Sequence, residues 1–548
     1  MDNEAEATDS AISRFVKSPL LGFFLFLFGV IVALFETIYL LILGNTLENA
    51  VWPLAIRTLE WTMVLRNNVP AVTTFAGLIL AASMWLMVRR QQNKPINSGF
   101  AYAAIICSGF IIGSYGVFVI MDLRYLRGAF LLLPTIYGVL LFSSAIIARG
   151  VPKLPKSKES GLDNFYSISH LFAVFFAAWL MMPGIPALVG TAPSPPAKPI
   201  FGYGGEPGPF LEVLEIYPYE LPENVTAIQG DTEEDIEFSI YLSIPVLPEN
   251  PGIEGVPLAI LFHAFNNPSR DSYTDWIERL VGKGMVVAYI QYPTDIRPDG
   301  GDDFDPNNIA GTSDWPHHVP RLYSINSALN KLNIIIGDDT RGQEIDDVLG
   351  NLSIMPEHLY IGGHSLGGAY SISALQMVQE FSWGSETLVV DTEMAASRPS
   401  QNLWQPNFTE LPEHTIIHLV VAEDDMTVGQ CESAYHQQLF DLTNQNNSLV
   451  IYVPSDKYGF PRMIATHYIP ANEVHDSLAD WSFYRRVDAQ ADWVVARSRA
   501  DFNTEDFAYQ HLIQGPLLEF MGKWSDGTPV LPLESYPNAL AESRFSHC

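Results

Sequence analysis

Hydrophobic positions are distributed differently in the two parts of the chain. Before about residue 190, apolar residues form uninterrupted runs close to the roughly 20 residues that a helix needs to cross a bilayer. The first run is too long for the core of a signal peptide and has no small-residue cleavage site behind it, so we expect it to remain as an anchor. The runs predict five membrane-spanning helices, at about 19–44, 69–88, 99–121, 128–148 and 167–189.

After about residue 210 the apolar runs are short and alternate with helical stretches. This alternation is typical of a doubly wound, mostly parallel sheet with helices on both faces, so we predict an α/β domain over 211–548. Two further runs, at 210–221 and 235–246, predict a pair of antiparallel strands at one edge of the sheet. The six main strand runs are 256–265, 284–293, 357–365, 386–395, 414–424 and 447–456.

The segment 191–210 lies between these two parts and is rich in proline and glycine. It has no periodicity, and its composition is typical of a semi-rigid linker. We therefore predict a transmembrane region at 1–190, followed by this linker and the α/β domain. Within the third predicted span, Gly109 and Gly113 are four residues apart, a spacing that favours close contact with another helix.

Charge follows the same division. Residues 1–190 carry a net charge of +3, and residues 191–548 carry −34. The large negative charge repels phosphate backbones, so we expect no nucleic-acid binding. In the segments that flank the predicted spans, with Lys198 of the linker included, nine basic residues fall on one side of the bilayer and five on the other. Because basic residues favour the cytoplasmic side, we expect a cytoplasmic N-terminus and an extracytoplasmic α/β domain.

The three cysteines are too few for a disulfide-rich scaffold and too scattered for a zinc site. Apart from Cys107, they allow at most one bridge, between Cys431 and Cys548. The acidic run at 299–305 lacks the ligand spacing of a calcium-binding loop and is interpreted as a solvated loop. The sequence therefore predicts no metal and no cofactor.

The sequence GHSLGG at 363–368 satisfies the pattern G-x-S-x-G. An apolar strand precedes it and a small-residue helix follows, which is the context of a nucleophile elbow. Such a turn strains the backbone of Ser365 and raises its hydroxyl above the carboxyl edge of the sheet, and Gly363 and Gly367 make the turn sterically possible. On these residues the chain resembles the α/β-hydrolase superfamily over roughly 210–525, in particular its GHSxGG esterases, lipases and dienelactone-hydrolase-like members.

The resemblance implies a catalytic triad in the chain order serine, acid, histidine. The serine hydroxyl is a weak nucleophile and needs a base, which the acid orients. Matching Val428 to the family pattern selects Asp425 as the acid, with Asp424 as the alternative. Two histidines follow the next predicted strand. His467 matches the family's loop, with an aromatic residue and a proline after it, and His475 is the alternative base.

The resemblance also implies two backbone N–H groups that bind an oxyanion. One belongs to Leu366, the residue after the serine, and the other to Ala264 or Phe265 in the loop after the third strand. Ala264 stands where the family usually has glycine, which leaves the second donor open. The neighbouring His263 is interpreted as a structural histidine, because only one base is required.

Together these residues predict a membrane-anchored serine hydrolase that cleaves carboxylic esters outside the cytoplasm through an acyl-enzyme intermediate. The loops are too short for a large helical cap, so we expect an open site for small esters or lipid-like esters. Trp315 and His318 either line this cleft or pack inside the domain. The alternative functions are an acyltransferase with the same triad and a non-catalytic receptor or transporter that uses the hydrolase fold for binding.

Overall fold

The computed structural model divides into two compact units, Met1–Ala192 and Pro193–Cys548. Each unit is described by itself. In the first unit the described residues are 19–42, scattered positions between 50 and 116, and residue 192. In the second unit they are 193–548 apart from gaps at 201, 223–225, 228–237, 249–252, 266, 295, 298–314, 338–344, 346–347, 350–351, 399–405, 426, 441–446, 460 and 473–474.

Two apolar helices fall on the first predicted span. Helix α1, Pro19–Ala33, and helix α2, Phe35–Ile42, are separated at Leu34 and bent by 62°. Among the described residues no single helix is long and apolar enough to cross a bilayer, but this bent pair together meets that requirement. The one helix predicted at 19–44 is therefore two helices. The spans at 69–88, 128–148 and 167–189, and much of 99–121, lie outside the described residues, so the five-helix region stays a prediction.

Glycines allow α1 to approach the described part of the third predicted span closely. A Cβ atom added at Gly109 would lie 2.0 Å from the carbonyl oxygen of Phe26, and one at Gly113 would lie 2.9 Å from the Cβ of Ala33. Both separations are shorter than real contacts. The spacing of these two glycines therefore serves backbone contact between helical segments.

A nine-stranded sheet forms the centre of the second unit. In space its strands follow the order β1-β3-β5-β4-β7-β8-β9-β10-β11. Strands β2 and β6 form a separate two-stranded sheet. The strand bounds are β1 Leu211–Pro218, β2 Thr226–Ala227, β3 Ser239–Val246, β4 Gly255–Phe262, β5 Val286–Ile290, β6 Ile296–Arg297, β7 Ser353–His364, β8 Thr387–Glu393, β9 Ile416–Ala422, β10 Ser448–Val453 and β11 Glu534–Tyr536.

The six central strands, from β5 across to β10, are all parallel. Strand β3 is antiparallel to both β1 and β5, which forms the predicted antiparallel edge. The opposite edge is β11, which pairs antiparallel with β10 and which the sequence did not predict. This mixed, mostly parallel sheet confirms the predicted α/β class of this unit, and its topology fits the α/β-hydrolase fold that the sequence resembles.

Helices cover both faces of the sheet, and the strand sequences reflect this. Alternate residues of one strand point to opposite faces, so Ile260 and Leu261 of β4 belong to different hydrophobic clusters. Strands buried on both faces need apolar residues at nearly every position, as VVAYI in β5 shows. Helices on the Ile260 face are α4 Trp315–Ile336, α5 Leu366–Glu380 and α6 Cys431–Leu439, and those on the Leu261 face include α3 Thr274–Gly282, α7 Ser477–Ala479, α8 Arg485–Ser498, α9 Phe502–Gln510 and α10 Pro516–Glu519.

The predicted linker is packed onto this unit from Pro193 onward. The N–H of Gly204 donates to Asp488 Oδ2 at 2.8 Å, and Arg279 Nη2 donates to the carbonyl of Gly205 at 2.8 Å. Both side chains are buried, so these bonds hold the segment where water does not compete for the partners. This proline- and glycine-rich segment therefore packs along the helices α3 and α8.

The C-terminus is also fastened to the sheet domain. A disulfide joins Cys431, the first residue of α6, to Cys548, so the one bridge that the sequence allows is present. Cys107 is exposed and free. Cys431, Cys548 and His547 are the one group of three potential metal ligands among the described residues, but both sulfurs are consumed by the disulfide.

Candidate active site

Ser365 lies at a sharp turn between β7 and α5. Its φ of 57° and ψ of −117° are unusual for a residue with a side chain. A Cβ at Gly363 would lie 2.4 Å from backbone atoms of Gly367, and a Cβ at Gly367 would lie 2.3 Å from the carbonyl oxygen of Phe262. Only glycine fits at either position, which is why the motif needs both.

Backbone hydrogen bonds to the end of β8 and the segment after it hold this strained residue. The Ser365 N–H donates to the carbonyl of Glu393 at 2.8 Å, and the Ala396 N–H donates to the carbonyl of Ser365 at 3.0 Å. Such a conformation costs about 1–3 kcal/mol and persists only where its surroundings enforce it. The end of β8 therefore keeps the serine at the carboxyl edge of the sheet.

Asp425 lies in the turn after β9, at the same edge. Its Oδ1 accepts the N–H groups of Thr427 at 2.8 Å and Val428 at 3.0 Å. Its Oδ2 accepts Nδ1–H of His467 at 2.8 Å, and the carboxylate side chain is completely buried. The backbone thus fixes the acid, and the acid fixes the imidazole with its proton on Nδ1. The Nε2 atom of His467 is left to accept a proton.

The loop that carries His467 is tied to the residue before the serine. His364 Nε2 lies 2.7 Å from the carbonyl oxygen of His467, and the two rings are 4.8 Å apart between centroids. Within the described residues no hydrogen bond reaches the Ser365 hydroxyl. Contacts of this kind are often long in unliganded enzymes and tighten when substrate binds.

No family model matches the sequence, and no curated protein matches it. Similar solved structures include a fungal esterase from Rhizomucor miehei, with 12% identity, a TM-score of 0.31, and coverage of 53% of this chain and 86% of that chain. A thermophilic carboxylesterase from a metagenomic library has 12% identity, a TM-score of 0.30 and coverage of 53% and 90%. Carboxyl esterase 2 of Tuber melanosporum has 15% identity and a TM-score of 0.29, and the match covers 60% of this chain and 98% of that chain. At these identities and TM-scores the likeness carries no conclusion about activity.

The alternative acid, Asp424, points away from the imidazole. Its Oδ2 accepts the hydroxyl of Ser455 at 2.7 Å and lies 3.1 Å from Nζ of Lys457. The Ser455 hydroxyl in turn accepts the N–H of Ala465, two residues before His467. Asp424 therefore braces the base of the loop, whereas Asp425 contacts the histidine itself.

The alternative base, His475, is held at both ring nitrogens. Its Nδ1 lies 2.5 Å from Asp275 Oδ2, and its Nε2 lies 2.9 Å from Asp480 Oδ1. Burial lowers the pKa of His475, but the hydrogen bonds that the ring donates to Asp480 and Asp275 outweigh burial, so the pKa is raised above its ordinary value. A histidine that donates from both nitrogens has no atom left to accept a proton. The structure thus separates the two candidate bases.

The two candidates for the second oxyanion donor also differ. The N–H of Ala264 donates to the hydroxyl of Tyr273 at 3.1 Å, so it is already used inside the protein. Phe265 is the next residue, and its ring lies against the guanidinium of Arg321 at 5.5 Å. The N–H of Leu366, at the first position of α5, has no acceptor within its own helix. Because the Ala264 N–H is used, Phe265 remains as the candidate second donor beside Leu366.

His263 is built into the core beside this loop. Its Nδ1–H donates to the carbonyl of Ala264 at 2.8 Å, and its Nε2 accepts the N–H of Tyr292 at 3.0 Å. The ring stacks on Tyr292 at 4.0 Å, and burial lowers the pKa of His263 to about 4. His263 is therefore neutral and structural, which agrees with its interpretation from the sequence.

Two further residues and one segment singled out in the sequence have different outcomes. His318 is buried, and its Nδ1 lies 2.8 Å from the hydroxyl of Tyr370, which supports packing rather than a place in the cleft. The side chain of Trp315 and the acidic run 299–305 lie outside the described residues.

Sequence reasoning missed the polar groups behind the elbow. Arg486 of α8 donates to Asp391 at 2.9 Å and also contacts Glu393, whose carbonyl holds Ser365. Burial raises the pKa of Glu393 to about 8 although Arg486 opposes the shift. It also missed Tyr273 and His364, which are 91 residues apart and hydrogen bonded. Pairs so distant in sequence leave no local pattern.

Proposed function

We propose that this protein is a membrane-anchored serine hydrolase that cleaves carboxylic esters through a Ser365–His467–Asp425 triad. The observation that carries the proposal is the hydrogen bond from His467 Nδ1 to the buried Asp425, on a loop that is fastened to the neighbour of a strained Ser365. An orienting acid, a base with Nε2 unoccupied, and a serine on an elbow are the parts of nucleophilic acyl transfer.

The reaction proceeds in two halves. His467 Nε2 takes the hydroxyl proton as Ser365 Oγ attacks the ester carbonyl, and the backbone N–H groups of Leu366 and Phe265 donate to the oxyanion. His467 then gives the proton to the departing alkoxide, which leaves an acyl-serine. Water attacks that acyl group with His467 again as base. The bond between the acyl carbon and Ser365 Oγ then breaks, His467 returns the proton to Oγ, and the acid product leaves. Asp425 keeps Nδ1 protonated and stabilises the imidazolium in both halves.

The nucleophile is tested with full-length protein in detergent, a panel of 4-nitrophenyl esters of increasing acyl length, and a fluorophosphonate probe. We expect the parent to hydrolyse esters and to be labelled, and Ser365→Ala to lose at least ~10³-fold in turnover and all labelling. Near-parental turnover by the variant would overturn the proposal. Addition of a competing alcohol distinguishes an acyltransferase, which would transfer the acyl group to the alcohol in preference to water.

We also place the catalytic unit outside the cytoplasm, anchored by the apolar region before residue 190. The charge bias of the predicted loops supports this orientation, and the Cys431–Cys548 disulfide suits an oxidising compartment. The test adds protease to intact cells that express the full chain. We expect digestion of the unit that begins at Pro193, and its protection would contradict the orientation.

A further inference from the structure

A chain of buried hydrogen bonds connects the three loops of the proposed active site. The N–H of Ala264 donates to the Tyr273 hydroxyl at 3.1 Å, and that hydroxyl lies 3.0 Å from Nδ1 of His364. His364 Nε2 then lies 2.7 Å from the carbonyl oxygen of His467. The oxyanion loop, the elbow and the base loop therefore meet at two side chains, Tyr273 and His364.

The direction of each proton in this chain follows from its two ends. A carbonyl oxygen can only accept, so Nε2 of His364 carries a proton toward His467. In a neutral ring Nδ1 must then accept, and Tyr273 donates to it. The Tyr273 oxygen is left to accept from Ala264. One protonation pattern satisfies every group, and it requires a neutral His364.

The surroundings of His364 favour that neutral form. The ring is 1% exposed, and Tyr273 is also 1% exposed. Burial, with a smaller contribution from His467, holds the pKa of His364 well below its ordinary value. In such surroundings a buried hydrogen bond is strong, and an unpaired partner is costly.

Resting on the proposed hydrolase function, we propose that Tyr273 and His364 are positioning residues that hold the base loop and the oxyanion loop in register with Ser365. Neither touches the substrate. His364 fixes the backbone of His467, so the imidazole can swing only about its own side-chain torsions, which Asp425 restrains. Tyr273 occupies the Ala264 N–H, so the oxyanion site is formed by the next residue, Phe265.

The chain offers a matched control for Tyr273. Tyr289 of β5 is also 1% exposed, and its ring centroid lies 5.9 Å from that of Tyr273. Its buried hydroxyl has no hydrogen-bond partner among the described residues. Tyr273→Phe and Tyr289→Phe therefore remove the same atom from the same core, but only the first removes links of the chain.

The experiment compares Tyr273→Phe, His364→Leu, His364→Gln and Tyr289→Phe in the full-length protein. The measurements are kcat and KM for 4-nitrophenyl acetate, the rate constant of fluorophosphonate labelling, and the melting temperature. We expect Tyr273→Phe to lower kcat and the labelling rate by roughly 10- to 100-fold, the size of effect that a small misplacement of reacting groups produces. KM should change by less than about threefold, because the chain does not contact the substrate.

The remaining variants separate positioning from bulk packing. His364→Gln keeps an N–H donor for His467 and should retain more activity than His364→Leu. The double variant Tyr273→Phe/His364→Leu should be no slower than the slower single variant, since both interrupt one chain. Tyr289→Phe should keep the parental kcat.

Two results would overturn the inference. One is a kcat for Tyr273→Phe within about threefold of the parent; the other is equal losses in Tyr273→Phe and Tyr289→Phe, which would indicate packing alone. A fall in melting temperature with unchanged kcat per folded molecule is a case of the first result. If instead Ser365→Ala keeps turnover, the proposed function fails, whatever these variants show.

Discussion

His467 and His475 are eight residues apart, and both contact aspartates, yet their surroundings give them different capacities. His467 contacts one completely buried carboxylate through Nδ1, and among the described residues its Nε2 has no hydrogen-bond partner. His475 contacts two partly exposed carboxylates, one through each nitrogen. Proximity to an acid is therefore not what distinguishes a base. The distinction is a second nitrogen that is left to accept a proton.

The same difference separates the two neighbouring acids. Asp425 uses one oxygen to accept backbone N–H groups and the other to accept the histidine. Asp424 accepts Ser455 and pairs with Lys457 at the protein surface. In both pairs one residue has a proposed role in proton transfer, and the contacts of the other hold a neighbouring segment in place. Substitutions at these four positions test that division.

The largest expected effect is at the base. His467→Ala should lower kcat/KM by at least ~10⁴-fold, because the serine then has no base, and the loss should not add to that of Ser365→Ala. His475→Ala should keep at least ~10% of the rate, a barrier change of no more than about 1.4 kcal/mol. Ester hydrolysis by the purified variants measures both. The reverse ranking would move the base to His475.

A somewhat smaller effect is expected at the acid. Asp425→Asn preserves the shape of the side chain but can no longer stabilise an imidazolium, so kcat should fall by roughly 10³–10⁴-fold. Asp424→Asn keeps an acceptor for Ser455 and should change kcat by less than about tenfold. Comparable losses in the two variants would show that the two acids are not divided in this way.

Removal of the Cys431–Cys548 disulfide tests whether stability and activity can be changed separately at a site away from both histidines. Cys548→Ser removes the link between the C-terminus and α6, and we expect a loss of about 2–4 kcal/mol in the free energy of unfolding. The kcat of the folded protein should stay near parental, because Cys431 follows the Asp425 turn without contacting the triad. Chemical denaturation and ester hydrolysis measure the two quantities, and a large loss of kcat would contradict the separation.

The smallest effect is the pH dependence of stability that His475 supplies. Because its pKa is raised in the folded protein, its contribution is fully present below its ordinary pKa and is lost as pH rises through the folded value. The melting temperature of the parent should therefore decrease relative to that of His475→Gln as pH rises above that ordinary value. Burial also raises the pKa of Glu393, whose titration is common to both proteins, so the difference between the two proteins is the measured quantity. If the difference in melting temperature stays constant across this pH range, His475 is not charged between Asp275 and Asp480.

Local patterns in the sequence predict much of the second unit. Continuous apolar runs mark strands such as β5 because a strand covered on both faces has few positions for polar residues. The short strand β11 carries no such signal, since ESY has only one buried residue and depends on β10 for its conformation. The segment from Pro193 was expected to be a linker, but hydrogen bonds to Arg279 and Asp488, remote in sequence, fasten it to α3 and α8.

By itself, the sequence determined the α/β class and the elbow at Ser365, because strand burial, helix periodicity and the two glycines beside the serine act over a few residues. It narrowed the acid to two neighbours and the base to two histidines. Only the tertiary structure decided that Asp425 meets His467, that His475 is clamped by Asp275 and Asp480, and that the Ala264 N–H is taken by Tyr273. Each of those contacts joins residues that only the folded sheet and its helices bring together, and hydrogen bonding depends on distances of a few tenths of an ångström.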